Sequence, residues 1–211
     1  METILEQKKI IRDQIKRELK LLGAPEVARL SRTIRRRLIP VINGLKEKKE
    51  SPVRVSAFAA RPFEVDLLPL VALMPEVEWY FPRCIGPHDM EFRRVTNTSE
   101  QLLPGYKGIR EPRPDAELIA PARLDLILSP GVAFTRDPAT GEKHLGFGKG
   151  FYDAVFSQSP DSLKIGVCFP CQLRSDIPLD SHDFILNAVV VAGEGRNIDL
   201  LEDSSLGQEF A

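Results

Sequence analysis

Cysteine is scarce in this chain, with three residues (Cys84, Cys168 and Cys171) among 211. So few thiols cannot staple a chain of this length, which excludes a disulfide-framework scaffold and predicts a reducing, cytoplasmic setting. Long apolar runs are missing as well, and none approaches the ~20 residues that a membrane span needs. The N-terminal stretch METILEQKKIIRDQIKRELK is too charged to hold a signal-peptide core. Neither sign of charge prevails, since 29 Lys and Arg stand against 30 Asp and Glu for a net charge of -1. That balance excludes, for the chain as a whole, a strongly cationic nucleic-acid binder and a polyanionic tail. What remains is 43% hydrophobic and 28% charged, the composition of an ordinary globular protein.

The charge is unevenly spread. Residues 1–50 hold 14 Lys and Arg against 7 Asp and Glu, whereas residues 51–211 hold 15 against 23. Two readings fit the basic half: two solvated amphipathic helices, or an arm that binds an anion such as phosphate or nucleic acid. Ile4, Ile11, Ile15, Leu19 and Leu22 recur at helical spacing and predict a first helix over residues 3–22. Gly23 and Pro25 break it, and Pro25 suits the first turn of the next. That helix carries Val27, Leu30, Ile34, Leu38, Val41 and Leu45 at three- and four-residue intervals, and Pro40 should kink or end it.

Beyond KEKKESP the pattern changes. VRVSAFA (53–59), VEWYF (77–81), LDLILS (124–129), KIGVCF (164–169) and LNAVVV (186–191) are short and almost wholly apolar. Such runs suit strands buried on both faces of a mostly parallel sheet. Helical candidates at 64–74 and 150–158 alternate with them, so the predicted fold is a doubly wound α/β sheet in a single domain spanning 1–211. The basic helical region 1–50 would pack on that α/β body.

The stretch 129–153, SPGVAFTRDPATGEKHLGFGKGFYD, is the richest in chemistry. A strand ends at Ser129-Pro130-Gly131, a polar loop follows, and Gly146, Gly148 and Gly150 then alternate around Lys149 before Tyr152 and Asp153 open a helix. Backbone N–H groups freed by glycines and backed by a helix N-terminus can cradle an anion, and a lysine adds a mobile cation for phosphoryl oxygens. A tight helix–strand junction also needs such glycines. The named phosphate motifs do not fit: Phe151 stands where the dinucleotide fingerprint wants its third glycine, and Gly150 where a Walker A loop wants Ser or Thr. Asp153 suits either a helix dipole or a hard oxygen ligand for Mg²⁺. Lys8 and Arg12 share a face of the first helix. Glu64 and Asp66 could point into a cleft at the sheet rim, as could His182-Asp183. Cys168-x-x-Cys171 begins inside an apolar strand, where a thiol acts as a small hydrophobe rather than a redox centre.

Taken in order, these pieces resemble the 5-formyltetrahydrofolate cyclo-ligase family, also called 5,10-methenyltetrahydrofolate synthetases. Lys8-Lys9-Ile10-Ile11-Arg12 looks like the family's Lys-x-x-x-Arg helix. Glu64-Val65-Asp66, Phe81-Pro82-Arg83 and Gly108-Ile109-Arg110-Glu111-Pro112 have counterparts, as do Gln172, Asp176-Ile177-Pro178 and His182-Asp183. The run from Leu124 through Pro130-Gly131-Val132-Ala133-Phe134 to Leu145–Asp153 is similar to the family signature Leu-Gly-x-Gly-x-Gly-Tyr-Tyr-Asp behind a Pro-Gly-x-x-Phe strand end.

The resemblance implies a three-layer α/β/α sandwich and an ATP- and Mg²⁺-dependent closure of 5-formyltetrahydrofolate to 5,10-methenyltetrahydrofolate, releasing ADP and phosphate. By match to the motifs, Lys8, Arg12, His144, Gly146, Gly148, Lys149 and Gly150 would bind ATP. Ala59, Glu64 and Tyr152 would bind the folate, Lys149 and Tyr152 would be catalytic, and Asp153 and Asp183 would hold Mg²⁺. The implied partners are these small molecules, without nucleic acid or membrane, on a monomeric protein. The chain departs from the pattern at His144, where the family has arginine, at Phe151 in place of the first tyrosine, and in a longer loop over 135–143. Lys143 or Arg136 could supply the missing cation. Those departures keep open a relative that binds ATP or folate without this activity; a nucleic-acid binder using residues 1–50 is the rival of another class.

Overall fold

The computed structural model describes residues 3–137, 141–178 and 184–193. Two helices lead. Helix α1 (Ile4–Leu21) is capped by Thr3, whose hydroxyl accepts from the Glu6 N–H while the Glu6 carboxylate accepts from the Thr3 N–H at 2.8 Å. Helix α2 (Ala24–Glu47) follows at once, with Pro25 in its first turn. Of the two outcomes expected at Pro40, a kink or an end, the end does not occur: the helix runs on to Glu47. A proline forfeits one helical hydrogen bond, but Leu30, Ile34, Leu38 and Ile42 form one continuous buried stripe across that position, and its packing outweighs the loss.

The chain continues through β1 (Arg54–Ser56), α3 (Pro69–Leu73), β2 (Glu78–Cys84) and β3 (Met90–Arg94). Next come α4 (Thr98–Gln101), β4 (Leu102–Pro104) and β5 (Arg110–Pro112), the last two paired as a small sheet of their own, and then β6 (Leu118–Ile119). Then come β7 (Leu126–Ser129), β8 (Ala133–Asp137), β9 (Gly141–Leu145), α5 (Phe151–Gln158), β10 (Leu163–Cys168), β11 (Ile185–Leu186) and β12 (Ala188–Val191). A seven-stranded sheet forms in the order β12-β10-β7-β1-β2-β3-β6. Its first five strands run parallel, while β3 and β6 extend the edge antiparallel.

Alternation along the strands fills two cores. Val55, Trp79, Phe81, Leu126, Leu128, Ile165 and Val167 face α1 and α2. Tyr80, Ile127, Cys168 and Val189 face the other way, onto Phe134 of β8 and onto Val155 and Phe156 of α5. Helices on both faces of a mostly parallel sheet make the expected three-layer α/β/α sandwich. Leu126–Ser129 and Ala188–Val191 are buried throughout, as near-continuous apolar runs require.

Two regions differ from the sequence reading. The helix expected over 64–74 is confined to α3, because Asp66 caps the local turn instead, its carboxylate accepting from the Leu68 N–H at 3.1 Å. The polar stretch after Gly131 is not a loop. It folds as the antiparallel pair β8–β9, extended by β11. Phe134 anchors the pair on the main sheet, and a Cβ on Gly166 of β10 would stand 2.4 Å from its ring. This close approach carries β9 to the rim at the carboxyl end of β7.

Candidate functional site

A cleft of about 330 Å³ opens at the carboxyl ends of β1, β2 and β7. Ala59 follows β1, Pro82 and Cys84 end β2, Pro130 follows β7, and His144 reaches in from β9. This is where open α/β sheets receive ligands.

One wall is the glycine loop. After β9 the chain leaves the sheet at Gly146, and Gly148 (φ 87°) and Gly150 (φ 68°) take left-handed conformations that L side chains avoid. Gly150 then starts α5, so its turn aims the loop and the helix N-terminus together. Arg12 of α1 secures the loop from behind, its Nε donating to the Gly146 carbonyl at 2.9 Å. The Arg12 guanidinium carbon lies 3.6 Å from where a Gly148 Cβ would be. His88, in the turn between β2 and β3, donates from Nδ1 to the Lys149 carbonyl at 2.9 Å. Among the described residues, neither the Lys149 ammonium nor the Asp153 carboxylate has a hydrogen-bond or ion-pair partner, and both line the cleft. A free cation beside exposed backbone amides and a free carboxylate one helical turn away make a suitable seat for a phosphate–metal pair.

The facing wall is already paired. The Glu64 Oε1 accepts from Arg61 Nε at 2.9 Å and from Arg61 Nη2 at 2.6 Å, and Oε2 accepts from the Arg61 backbone N–H at 2.7 Å. The same guanidinium lies 3.9 Å from the centroid of the Phe147 ring, in the glycine loop. Between the walls stands Tyr152, with its phenol pushed well above the usual range by burial first and then by Glu64 and Cys84. It is therefore a neutral hydroxyl at any physiological pH. Deeper in, Glu111 is buried and accepts from the Cys84 N–H at 3.2 Å. Burial, followed by the charge of Glu111, pushes the Cys84 thiol up to about 11.

Of the residues singled out by sequence, Ala59, Glu64, His144, Gly146, Lys149, Gly150, Tyr152 and Asp153 line this cleft. His144 lies at its floor, 7% exposed, between the rings of Phe134 and Phe156. Arg12 and Gly148 meet behind the loop, and half-buried Lys8 lies one turn earlier on α1. Asp66 is not a cleft residue: its backbone N–H donates to Ser31 and its carbonyl accepts from Arg35. Arg136 does not stand in for the missing arginine, because it pairs with Glu142 at 3.2 Å and donates to the Val189 carbonyl. Asp183 and His182 lie outside the described residues. Cys168 is buried and forms no disulfide, as expected for a strand hydrophobe.

Sequence reasoning gave no role to Arg61, Phe147 or Cys84. The signal that was there is the Arg61-x-x-Glu64 spacing, which becomes a contact only once the intervening turn is known. Among the described residues, no three His, Cys, Asp or Glu side chains cluster as a ready metal site. A magnesium ion needs no such cluster, since one carboxylate with phosphate oxygens and water completes its shell. Asp153, unpartnered among the described residues, fits that role. No helix among the described residues is long and apolar enough to cross a membrane.

The model of the 5-formyltetrahydrofolate cyclo-ligase family matches residues 4–192. A Schizosaccharomyces pombe protein named "Probable 5-formyltetrahydrofolate cyclo-ligase" is 34% identical over 125 residues, 53% of this chain and 59% of that protein. The match therefore spans somewhat more than half of the yeast protein's length. The Mus musculus 5-formyltetrahydrofolate cyclo-ligase is 26% identical over 209 residues, covering 89% of this chain and 95% of its own. Among solved structures, the Aquifex aeolicus 5,10-methenyltetrahydrofolate synthetase superimposes with a TM-score of 0.70 at 29% identity, over 97% of this chain and 96% of that one. With the family's pattern running from α1 to the end of the central sheet, the chain belongs to the 5-formyltetrahydrofolate cyclo-ligase family.

Proposed function

We propose that this chain converts 5-formyltetrahydrofolate to 5,10-methenyltetrahydrofolate at the expense of ATP, through a phosphorylated formyl oxygen. The observation that carries the reading is the cleft itself: within a family-wide match, Lys149 on the glycine loop and Asp153 in the first turn of α5, both without a partner among the described residues, share the cleft with the Glu64 carboxylate and Tyr152.

The chemistry calls for this division. A formamide oxygen is a poor leaving group. When it attacks the γ-phosphorus, the bond to ADP breaks and an imidate-like phosphate forms. The folate's N10 then adds to the formyl carbon and gives up its proton to solvent, and the carbon–oxygen bond breaks as phosphate leaves. Little covalent work falls to the protein, so positioning and charge neutralisation dominate. Lys149 and the amides of Gly146, Gly148 and Gly150 bind phosphoryl oxygens, with Arg12 and Lys8 supporting the loop and its positive field. Asp153 holds Mg²⁺, which neutralises the phosphate charge when bound. Glu64 accepts from the pterin's amino and ring N–H groups, Ala59 leaves room for the ring, and Tyr152 donates its hydroxyl without ionising. The partners are these small molecules, acting on a monomer.

The test is isotopic. Substrate labelled with ¹⁸O in the formyl group should deliver the label to the released phosphate, with ADP forming one for one with the near-ultraviolet absorbance of the methenyl product. Without folate, ATP turnover should be close to nil. Label retained in the folate product, or ADP formed without methenyl product, overturns the reading.

A further inference from the structure

Glu64 is committed before any ligand arrives. Its Oε1 receives two bonds from the Arg61 guanidinium and its Oε2 one from the Arg61 backbone N–H. A carboxylate offers about four acceptor sites, so one remains, and a ligand presenting two N–H groups cannot bind side by side while the guanidinium stays. The pair is held by its turn: Phe63 sits at φ 69°, a strained conformation for a residue with a side chain, and the Glu64 N–H closes the turn onto the Arg61 carbonyl at 3.0 Å. Pro62 stiffens it further. The Glu64 side chain is 13% exposed and that of Arg61 39%, so the carboxylate is fixed and the guanidinium has room to move.

The guanidinium's other contact lies across the cleft, on the face of the Phe147 ring at 3.9 Å. Phe147 belongs to the glycine loop that carries Lys149. One side chain thus touches both halves of the cleft.

We propose that Arg61 is a positioning residue that couples the folate half of the cleft to the nucleotide half. This rests on the function proposed above. A folate that takes Glu64 in a bidentate grip must dislodge the guanidinium, releasing a cation whose nearest remaining contact is the phosphate-binding loop. There it meets anionic oxygens instead of a carboxylate. Binding of either ligand therefore favours the other, and linkage makes the effect equal in both directions. The Arg61–Glu64 pair also keeps the pterin site from presenting a bare, partly buried carboxylate when folate is absent.

Isothermal titration of the whole chain with 5-formyltetrahydrofolate, alone and with a saturating non-hydrolysable ATP analogue, tests the coupling without turnover. In the wild type each ligand should tighten the other by roughly fivefold or more, the lower end of common allosteric coupling. R61Q should bind 5-formyltetrahydrofolate alone more tightly than the wild type, because the competitor for Glu64 is gone, and its coupling factor should fall to about one. F147L, which leaves the Arg61–Glu64 pair intact, should lower the factor without tightening folate binding. A merely structural Arg61 would instead weaken folate binding when replaced. Weaker folate binding by R61Q, a coupling factor unchanged in both variants, or independent binding in the wild type each overturns the inference. A wild-type chain that binds neither ligand would instead refute the function on which it rests.

Discussion

The two walls of the cleft solve opposite electrostatic problems. On the loop wall, Lys149 of the glycine loop and Asp153 of the first turn of α5 stand in the cleft with no partner among the described residues, the loop being held by backbone geometry and by Arg12 behind it. On the facing wall the charge is cancelled in advance, Glu64 being locked to Arg61 by three bonds. The difference follows from burial. Lys149 is exposed and solvated until a ligand comes, so an unpaired charge costs little, whereas Glu64 is largely shielded and an unpaired carboxylate there would be penalised. One wall waits for its counter-ion from the ligand; the other must exchange one partner for another.

If the loop wall depends on its ligand for charge balance, its mutations should act on ATP and spare folate. Lys149→Ala should raise the KM for ATP by roughly ten- to a hundredfold, the loss of a charge-assisted contact, and leave the KM for folate within about threefold. Equal losses for both substrates would erase the distinction between the walls. Asp153→Asn keeps the shape and removes the charge, so the Mg²⁺ titration of activity should move to roughly tenfold higher concentration. If thermal stability falls and the titration stays put, Asp153 is a helix-end residue. Glu64→Gln should produce the mirror image, a KM for folate raised about tenfold with ATP kinetics nearly unchanged. Tyr152→Phe should act more weakly still. Because the phenol stays protonated, the variant should lower kcat a few-fold without removing any limb of the pH–rate profile near neutrality; a vanished limb would show that Tyr152 titrates after all.

These contrasts also mark how far the sequence could be read. The helices were legible because an apolar stripe every three or four residues survives as a buried face, as Leu30, Ile34, Leu38 and Ile42 show even across Pro40. The five parallel strands were legible because burial on both faces leaves nearly unbroken apolar runs. The antiparallel pieces were not. MEFRR of β3 and GEKHL of β9 carry charges on their outer face, and their pairing depends on partners distant in the chain. Lys149, Asp153 and Glu64 stood out as ordered motif residues on a rim. Arg61 did not, since its contact needs a left-handed Phe63 that no residue preference announces. Nor could sequence show that Arg136 is spent on Glu142 rather than substituting near His144.

The smallest expected effect concerns Cys84, which lines the cleft and to which the proposed mechanism gives no role. Its thiol is raised from 9.0 to about 11, mostly by burial and then by the negative charge of Glu111, with Arg83 opposing. The folded state thus favours the protonated thiol, so any stability it contributes is complete below pH 9 and is lost as the pH rises through about 11. The group is partly exposed, so this contribution is small and reactivity is the better measure. Thiolate is the nucleophile, and a rise of two units leaves about a hundredfold fewer thiolates at pH 8 than in an unperturbed cysteine. Alkylation by iodoacetamide, followed by peptide mass spectrometry to separate Cys84 from Cys171, should be slow at pH 8 and climb toward a midpoint near pH 11. Cys84→Ser should leave kcat and both KM values within about twofold. Saturating 5-formyltetrahydrofolate should slow the alkylation further, because Cys84 lines the same cleft as Glu64 and Tyr152. Protection by the ATP analogue alone, with none from folate, would put the folate elsewhere and assign this part of the cleft to the nucleotide.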